Sequence, residues 1–205
     1  MEAKGAQREV RDIMELKTDR LLIREFLPSD LNAFRQYVQS EHHWRSMPQE
    51  QPPTNEEAEA LLKHFLQTKG NVPRTEYHLA AVDKASNEFV GAVDLCLQAD
   101  KRGGDIGWGM VGGRVGHGLA TEMSHAVLRF AFGALRLHRV QAQCHAENHP
   151  SRRIMAKLGM REETVIKDHL FVRGVWWSTV QSAVLSIELE AHPLDGMSQR
   201  RQHKT

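Results

Sequence analysis

The sequence predicts a mixed α/β fold whose sheet is mostly antiparallel but contains one parallel strand pair. Three observations carry that expectation. Alternating β-rich segments between residues 77 and 111 read as an antiparallel meander. The longest helical pattern in the chain follows, and it leads directly into another strand at Arg139 to His145. A crossover of that length is what two parallel neighbours require, so the strands at 105–111 and 139–145 are expected side by side.

Each element has its own signal. Arg20 to Phe26 reads as a strand, after which Ser29-Asp30 is placed to cap a helix through Leu31, Phe34 and Val38. Pro52-Pro53 breaks the chain. Thr54, with Glu57 three residues on, forms a capping box for a helix whose apolar side is Ala60, Leu61 and Phe65. Tyr77 to Val82 and Phe89 to Leu97 are strands separated by the turn Lys84-Ala85-Ser86-Asn87. Ile106, Trp108 and Met110 alternate with Asp105, Gly107 and Gly109 to give a third. In the long helix Ala120, Met123, Val127, Phe130, Ala131 and Ala134 share one face, while Glu122, His125 and Arg129 share another. In the strand after it, Val140, Ala142 and Cys144 lie on one side. Gln141, Gln143 and His145 lie on the other, a polar face that suits a wet cleft or a contact between the copies of a homodimer. A short helix with Ile154, Met155 and Leu158 inward ends at Gly159 as its C′ residue. His169 to Val172, the turn Arg173-Gly174 and Val175 to Ser186 form a closing hairpin.

Composition bounds the class. The chain has 205 residues with 40% apolar and 26% charged side chains, enough for one domain with a true core. That domain is expected over residues 17–190, with a flexible N-terminal arm at 1–16 and a flexible tail at 191–205. Formal net charge is +1, so no global field draws the protein to nucleic acid or to an anionic membrane. No apolar run approaches the roughly 20 residues that span a bilayer. Met1-Glu2-Ala3-Lys4-Gly5 lacks the apolar stretch of a secretory signal, and Cys96 and Cys144 read as small buried hydrophobes in a reducing compartment. A cytoplasmic location is expected. The histidines look scattered, with no His-x-x-x-His on a helix and no cysteine pair, so no metal set is predicted.

Gly112, Gly113, Gly116 and Gly118 crowd the residues before the long helix. Glycine lets the backbone approach a ligand closely, and a helix start offers unpaired N–H groups with the positive end of the dipole. This is a cradle for an anion, or a tight strand-to-helix turn with no ligand. A phosphate-binding P-loop needs a Gly-Lys-Ser/Thr ending, whereas Gly118 is followed by Leu119-Ala120. A dinucleotide fingerprint needs a third glycine where Thr121 stands. The residues alone do not name the anion.

The stretch Val115-Gly116-His117-Gly118-Leu119-Ala120-Thr121-Glu122 resembles the coenzyme A-binding turn of GNAT acetyltransferases, written Gln/Arg-x-x-Gly-x-Gly/Ala. Gly118 and Ala120 match, while Val115 stands at the polar first position, with Arg114 next door to replace it. Thr18 to Arg24 with Asp30, Asp105-Ile106-Gly107-Trp108, and Asn148 to Met160 are similar to segments of the branch that acetylates ribosomal-protein N-termini. Gly174-Val175-Trp176 fits that branch too, although Ser178 and Ser182 replace its following Asp and Tyr. The resemblance spans roughly residues 16–188, with its motifs in the family's order.

The resemblance implies a GNAT-like fold with the parallel pair splayed at the acetyl-CoA site. It implies direct transfer from acetyl-CoA to a primary amine in a ternary complex, the amine being a protein N-terminus or a small molecule. A non-catalytic coenzyme A-binding sensor or scaffold of the same fold is the alternative. The implied cofactor contacts are Met110 and Val111 at the oxyanion, Val115, Gly116, His117, Gly118, Leu119, Ala120 and Thr121 at the pyrophosphate, and Asn148 at the pantetheine arm. Arg153 and Lys157, four apart on one helix face, would meet the nucleotide phosphates, or form a plain solvated face. Ser151 matches the position that serves the leaving sulfur, and Asp105 the acidic position of a general base. Read without the resemblance, Ser151 is a first-turn helix serine, Asn148 a helix cap and Asp105 a support for its strand. His42-His43-Trp44 is placed to wall the acceptor site.

Overall fold

The computed structural model describes residues 14–191. The chain enters with strands β1 (Glu15–Lys17) and β2 (Leu21–Glu25), then helices α1 (Leu31–Gln39), α2 (Glu41–Trp44) and α3 (Asn55–Thr68). A meander of β3 (Glu76–Asp83), β4 (Phe89–Leu97) and β5 (Gly103–Met110) leads to α4 (Leu119–Gly133) and β6 (Arg139–His145). After α5 (His149–Lys157) come β7 (Arg161–Val172), β8 (Val175–Leu185) and α6 (Ser186–Ala191). The arms expected at 1–16 and 191–205 lie almost wholly outside the described residues, although β1 straddles the boundary drawn at residue 17.

One eight-stranded sheet holds these elements together in the order β1-β2-β3-β4-β5-β6-β8-β7. Every neighbouring pair is antiparallel except β5 and β6, the parallel pair that the crossover through α4 requires. The sheet therefore has one topological switch point, the kind of place where α/β proteins put their ligands.

Two apolar layers clamp the sheet. On one face α4 buries Met123, Val127, Leu128 and Ala131 completely against Leu79, Val93, Leu95 and Val140. Each full burial of a side chain such as Val127 or Leu128 contributes about 1.5–3 kcal/mol. On the other face α1 and α3 close an aromatic cluster over Ala80 and Ala92. There Phe26 meets Phe34 edge-on at 5.2 Å, and Phe65 lies 5.6 Å from Phe26. The small side chains of Ala80 and Ala92 leave room for those rings.

Three local expectations need correction. The inward side of α3 is Ala58, Leu62 and Phe65, not Ala60 and Leu61; Leu61 is 40% exposed. Spacing of four and three residues keeps the true set on one stripe, and small Ala58 lets the helix settle on the aromatic cluster. Asp30 makes no side-chain cap for α1. Its carboxylate accepts instead from both Arg24 guanidinium nitrogens, at 2.7 and 2.9 Å, and from the Leu27 N–H at 2.8 Å. The closing hairpin is longer than expected: β7 begins at Arg161 and is exposed along nearly its whole length, because it is the edge strand. By contrast the capping box of α3 forms as read, with Glu57 N–H on Thr54 Oγ1 and Thr54 N–H on Glu57 Oε2.

Candidate active site

The parallel pair is bonded only at its start. Gly103, Gly104 and Asp105 register with Arg139, Val140 and Gln141, after which both strands continue without pairing, to Met110 and His145. The Val111 N–H donates to the Val90 carbonyl at 2.9 Å, which fixes the alternation along β5. Val111 and Gly109 therefore turn their backbone groups towards β4, while Trp108 and Met110 turn theirs the other way, into the gap. On β6 the Ala146 N–H donates to the Ser178 carbonyl at 2.8 Å, so Gln143 and His145 likewise face the gap. The result is a wedge with two unpaired strand edges inside a sheet, and backbone groups in such a place need partners. This corrects the expectation for Val111. Its N–H is committed to Val90 and its carbonyl accepts from Arg114 N–H, so of these two residues it is Met110 that turns its backbone N–H to the wedge.

Both strands of the wedge open onto helix starts. From β5 the chain passes through a short turn at Gly112–Arg114 and then the glycine turn, where Gly116 and Gly118 have φ of +84° and +78°. These left-handed conformations are the reason for glycine at the two positions. Leu119, Ala120 and Thr121 then form the first turn of α4, whose amides lack helical partners. The turn is pinned by the connection between β1 and β2. Glu122 accepts from Thr18 Oγ1 at 2.6 Å, from Arg20 N–H at 2.9 Å and from Arg20 Nε at 2.7 Å, while Arg20 Nη1 donates to the His117 carbonyl at 2.9 Å. Burial pushes the Glu122 carboxyl up, but these donors outweigh it and hold it below its ordinary value. Its negative charge at the helix start is thus tied to Arg20. The side chain of Val115 is 39% exposed, and its carbonyl lies 2.9 Å from His117 Nδ1. Arg114 does not replace the missing polar residue: it pairs with Glu88.

From β6 the chain turns into α5. Asn148 is the N-cap of that helix, accepting the Ser151 N–H on Oδ1 at 3.1 Å. Ser151 is half-buried in the first turn, while Arg153 and Lys157 are exposed. Their neighbour Arg152 is a structural residue, bonded to the Ala146 carbonyl at 3.2 Å and to Glu162 at 3.0 Å.

The α1/α3 face of the sheet carries the polar side chains around the wedge. Asp105 sits at its closed end, accepting from Gln141 Nε2 at 2.7 Å and from Gln98 Nε2 at 3.2 Å. One row further, Asp94 bonds His78 Nδ1 at 2.7 Å. Gly109 carries no side chain because Tyr37 and His43 occupy the space: an added Cβ would lie 1.9 Å from the Tyr37 hydroxyl and 3.1 Å from His43 Nδ1. Burial lowers the His43 pKa to about 4, so at neutral pH the ring is uncharged. Burial is also the main cause that lowers His145, whose ring stacks on Trp177 at 4.3 Å. Arg173, at the tip of the β7–β8 hairpin, sits over Trp44 and Trp177, at 5.2 and 4.8 Å from their ring centres. It also donates to the carbonyls of Arg45, Met47 and Gln49, while its N–H meets Glu50 at 3.1 Å. The hairpin thereby clasps the loop after α2, with Trp44 beneath Arg173 and His43 beside Gly109.

Sequence reading missed Tyr37, Trp177 and Arg173, whose partners lie far away along the chain. The acidic residues near α3 have structural partners: Glu57 caps, Glu59 pairs with Arg35 at 2.7 Å, and Glu50 holds Arg173. The thiols of Cys96 and Cys144 are half-buried rather than buried, and burial raises each to about 11. The histidines are less scattered than they read, since His64, Glu76 and His78 bring their ligating atoms within 4.8 Å of one another. No helix among the described residues is long and apolar enough to cross a membrane.

Comparison with known proteins agrees with this architecture. The acetyltransferase (GNAT) domain model matches residues 20–161. An uncharacterized N-acetyltransferase, YnaD of Bacillus subtilis, is 30% identical over 175 residues, covering 85% of this chain and 99% of its own. The [ribosomal protein uS5]-alanine N-acetyltransferase of Escherichia coli is 24% identical, covering 83% of this chain and 90% of its own. Among solved structures, a spermidine N-acetyltransferase from Vibrio cholerae in complex with CoA and spermine superposes with a TM-score of 0.73 at 17% identity, over 83% of this chain and 98% of that one. The fold, the turn and the matched domain together place the chain in the GNAT family, as an N-acetyltransferase.

Proposed function

We propose that this enzyme binds acetyl-CoA in the wedge between β5 and β6 and passes the acetyl group directly to a primary amine arriving from the α1/α3 face. The observation that carries the reading is the pair of unpaired strand edges leading to two helix N-termini. A pantetheine arm is extended and carries amides, so it can pair with Trp108 and Met110 on one side and Gln143 and His145 on the other. The pyrophosphate then falls to the amides of Gly116 through Thr121, with Val115 and His117 as flanking contacts. Arg153 and Lys157, on the exposed face of α5, are the residues we assign to the nucleotide phosphates.

In this arrangement the amine nitrogen attacks the thioester carbonyl, the oxyanion is met by the Met110 N–H, and the C–S bond breaks. Ser151 Oγ supplies a hydrogen bond or proton to the departing sulfur. Asn148 contributes by holding the first turn of α5, and with it Ser151, in place. The ammonium must lose its proton first, and Asp105 at the closed end of the wedge is the base we assign. Asp105 and Asp94 also give this face the negative charge that favours a cationic acceptor. The acceptor is a protein N-terminus or a small amine, in keeping with the relatives named for an N-terminal alanine and for spermidine.

Thiol release from acetyl-CoA over a panel of peptide N-termini and polyamines tests the reading. Turnover with at least one acceptor is expected, and Ser151→Ala is expected to lower kcat by about 10²-fold while leaving acetyl-CoA affinity nearly unchanged. An unchanged kcat would remove Ser151 from the reaction. Failure of acetyl-CoA to raise the melting temperature would remove the wedge as its site.

A further inference from the structure

On the face away from α4, outside the wedge, His64 of α3 and Glu76 and His78 of β3 form a cluster that the transfer reaction does not use. His64 Nε2 lies 3.0 Å from Glu76 Oε2, and His78 Nε2 lies 3.1 Å from the same oxygen. Three ligating atoms of two imidazoles and one carboxylate thus surround one point. With metal–ligand bonds of about 2.0–2.1 Å, the edges of a tetrahedral site are about 3.3 Å long. The two observed edges are within a few tenths of an ångström of that.

We propose that His64, Glu76 and His78 form a binding site for a divalent first-row transition ion of the zinc class. Two nitrogens and a carboxylate oxygen are the donor set such ions prefer over magnesium or calcium. The outer layer fits as well. A carboxylate only accepts hydrogen bonds, so the contact between His78 Nδ1 and Asp94 Oδ1 keeps a proton on Nδ1; the ion would take the place of the proton that Nε2 directs at Glu76, making Nε2 the coordinating atom. This carboxylate–histidine arrangement is the one that orients metal-bound imidazoles. Phe65 stacks on the His78 ring at 3.9 Å and 13°, fixing its plane from the other side. The His78 side chain is only 10% exposed, whereas those of Glu76 and His64 are 36% and 51% exposed. An ion can therefore enter from solvent, and water can fill its remaining position. Once bound, it would clip α3 to the sheet.

The site is read with untagged, chelator-treated full-length protein titrated with Zn²⁺ alone by calorimetry. One equivalent is expected to bind and to raise the melting temperature in proportion to the logarithm of free Zn²⁺. His64→Ala touches only an exposed side chain and should fold normally, yet it is expected to weaken binding more than ~10-fold, the lower bound seen even for outer-layer partners. Glu76→Gln should do the same, and Asp94→Asn should weaken binding by ~10–100-fold. Co²⁺ in place of Zn²⁺ should give a visible absorption band that His64→Ala abolishes. Binding that is absent, or equally tight in His64→Ala and Glu76→Gln, overturns the proposal. Acetyl transfer by His64→Ala in chelator should equal that of the wild type in chelator, which separates this site from the wedge.

Discussion

The two halves of the proposed active site are built from different materials. The half we assign to acetyl-CoA is backbone: unpaired strand edges, two glycines with positive φ, and the first turns of α4 and α5. The half we assign to the acceptor is side chains from distant elements, with Tyr37 and His43 over Gly109, and Arg173 between Trp44 and Trp177. Backbone architecture can be shared by every member of a fold that takes one cofactor. A wall of side chains can be rebuilt for each acceptor without moving a strand. The difference teaches where substitutions should act: in the acceptor half through packing and charge, in the cofactor half through conformation and helix ends.

The largest expected effect tests the packed wall. Gly109→Ala puts a methyl group 1.9 Å from the Tyr37 hydroxyl, and Tyr37 is 5% exposed with Phe89 at 5.5 Å behind it. The ring has nowhere to go, so urea denaturation should show a loss of about 3 kcal/mol, the upper end for overpacking. The surviving folded enzyme should bind acetyl-CoA normally and have a raised KM for its amine. A normal amine KM would show that this wall does not border the acceptor.

The next effect comes from His43 and appears only in acid. Its folded pKa, about 4, lies below the 6.5 of a free imidazole. Above pH 6.5 neither the folded nor the unfolded state holds the proton, and His43 is neutral to stability. As pH falls from 6.5 towards 4 the unfolded state takes up the proton first, so stability is lost across that window, by up to about 3 kcal/mol. His43→Asn should flatten the curve relative to wild type between pH 7 and 4. Parallel curves would mean that His43 is not held neutral by burial.

Legibility followed the same division. The β3–β5 meander, the parallel pair, the capping box at Thr54 and the glycine turn were readable because each rests on a local pattern of residues. Gly118 announces a left-handed helix start by being glycine at that place. The partnership of Arg173 with the loop after α2 spans more than 120 residues, and nothing in either segment names the other. The face of α3 was misread because Leu61 and Leu62 are adjacent and equally apolar, and only packing on Phe26 decides between them. The cluster of His64, Glu76 and His78 escaped for a related reason. Two of its members alternate on a strand, the third comes from a preceding helix, and no fixed spacing marks such a set. Asp105, Asn148 and Ser151 are singled out as candidates only through family resemblance, since a polar residue at a strand or helix end has several ordinary uses.

In the cofactor half, Gly118→Ala forces an L-residue to hold φ near +78°, at a cost of about 1–2 kcal/mol. Stability should fall by that amount, or the turn should relax and weaken acetyl-CoA binding roughly tenfold. Gly113→Ala is the control, for an added Cβ there meets nothing within 4 Å and φ is not positive. Equal effects in the two variants would break the claim that the conformation of the turn, rather than its small size, is what the ligand needs.

The smallest effect separates neighbouring arginines on α5. Arg153 is exposed, and its proposed task is to meet a nucleotide phosphate across solvent, where a single pair is worth at most about 1 kcal/mol and is screened by salt. Arg153→Ala should therefore raise the Kd for acetyl-CoA about two- to fivefold at low ionic strength, and the effect should shrink as salt is added. It should leave the melting temperature of the free enzyme alone. Arg152→Ala should do the opposite, because Arg152 ties α5 to the Ala146 carbonyl and to Glu162. Its loss should lower the melting temperature and change cofactor affinity little, with no particular salt dependence. If both variants instead lower the melting temperature and neither changes the salt dependence of binding, the exposed face of α5 is only a solvated surface, and the nucleotide must be held elsewhere.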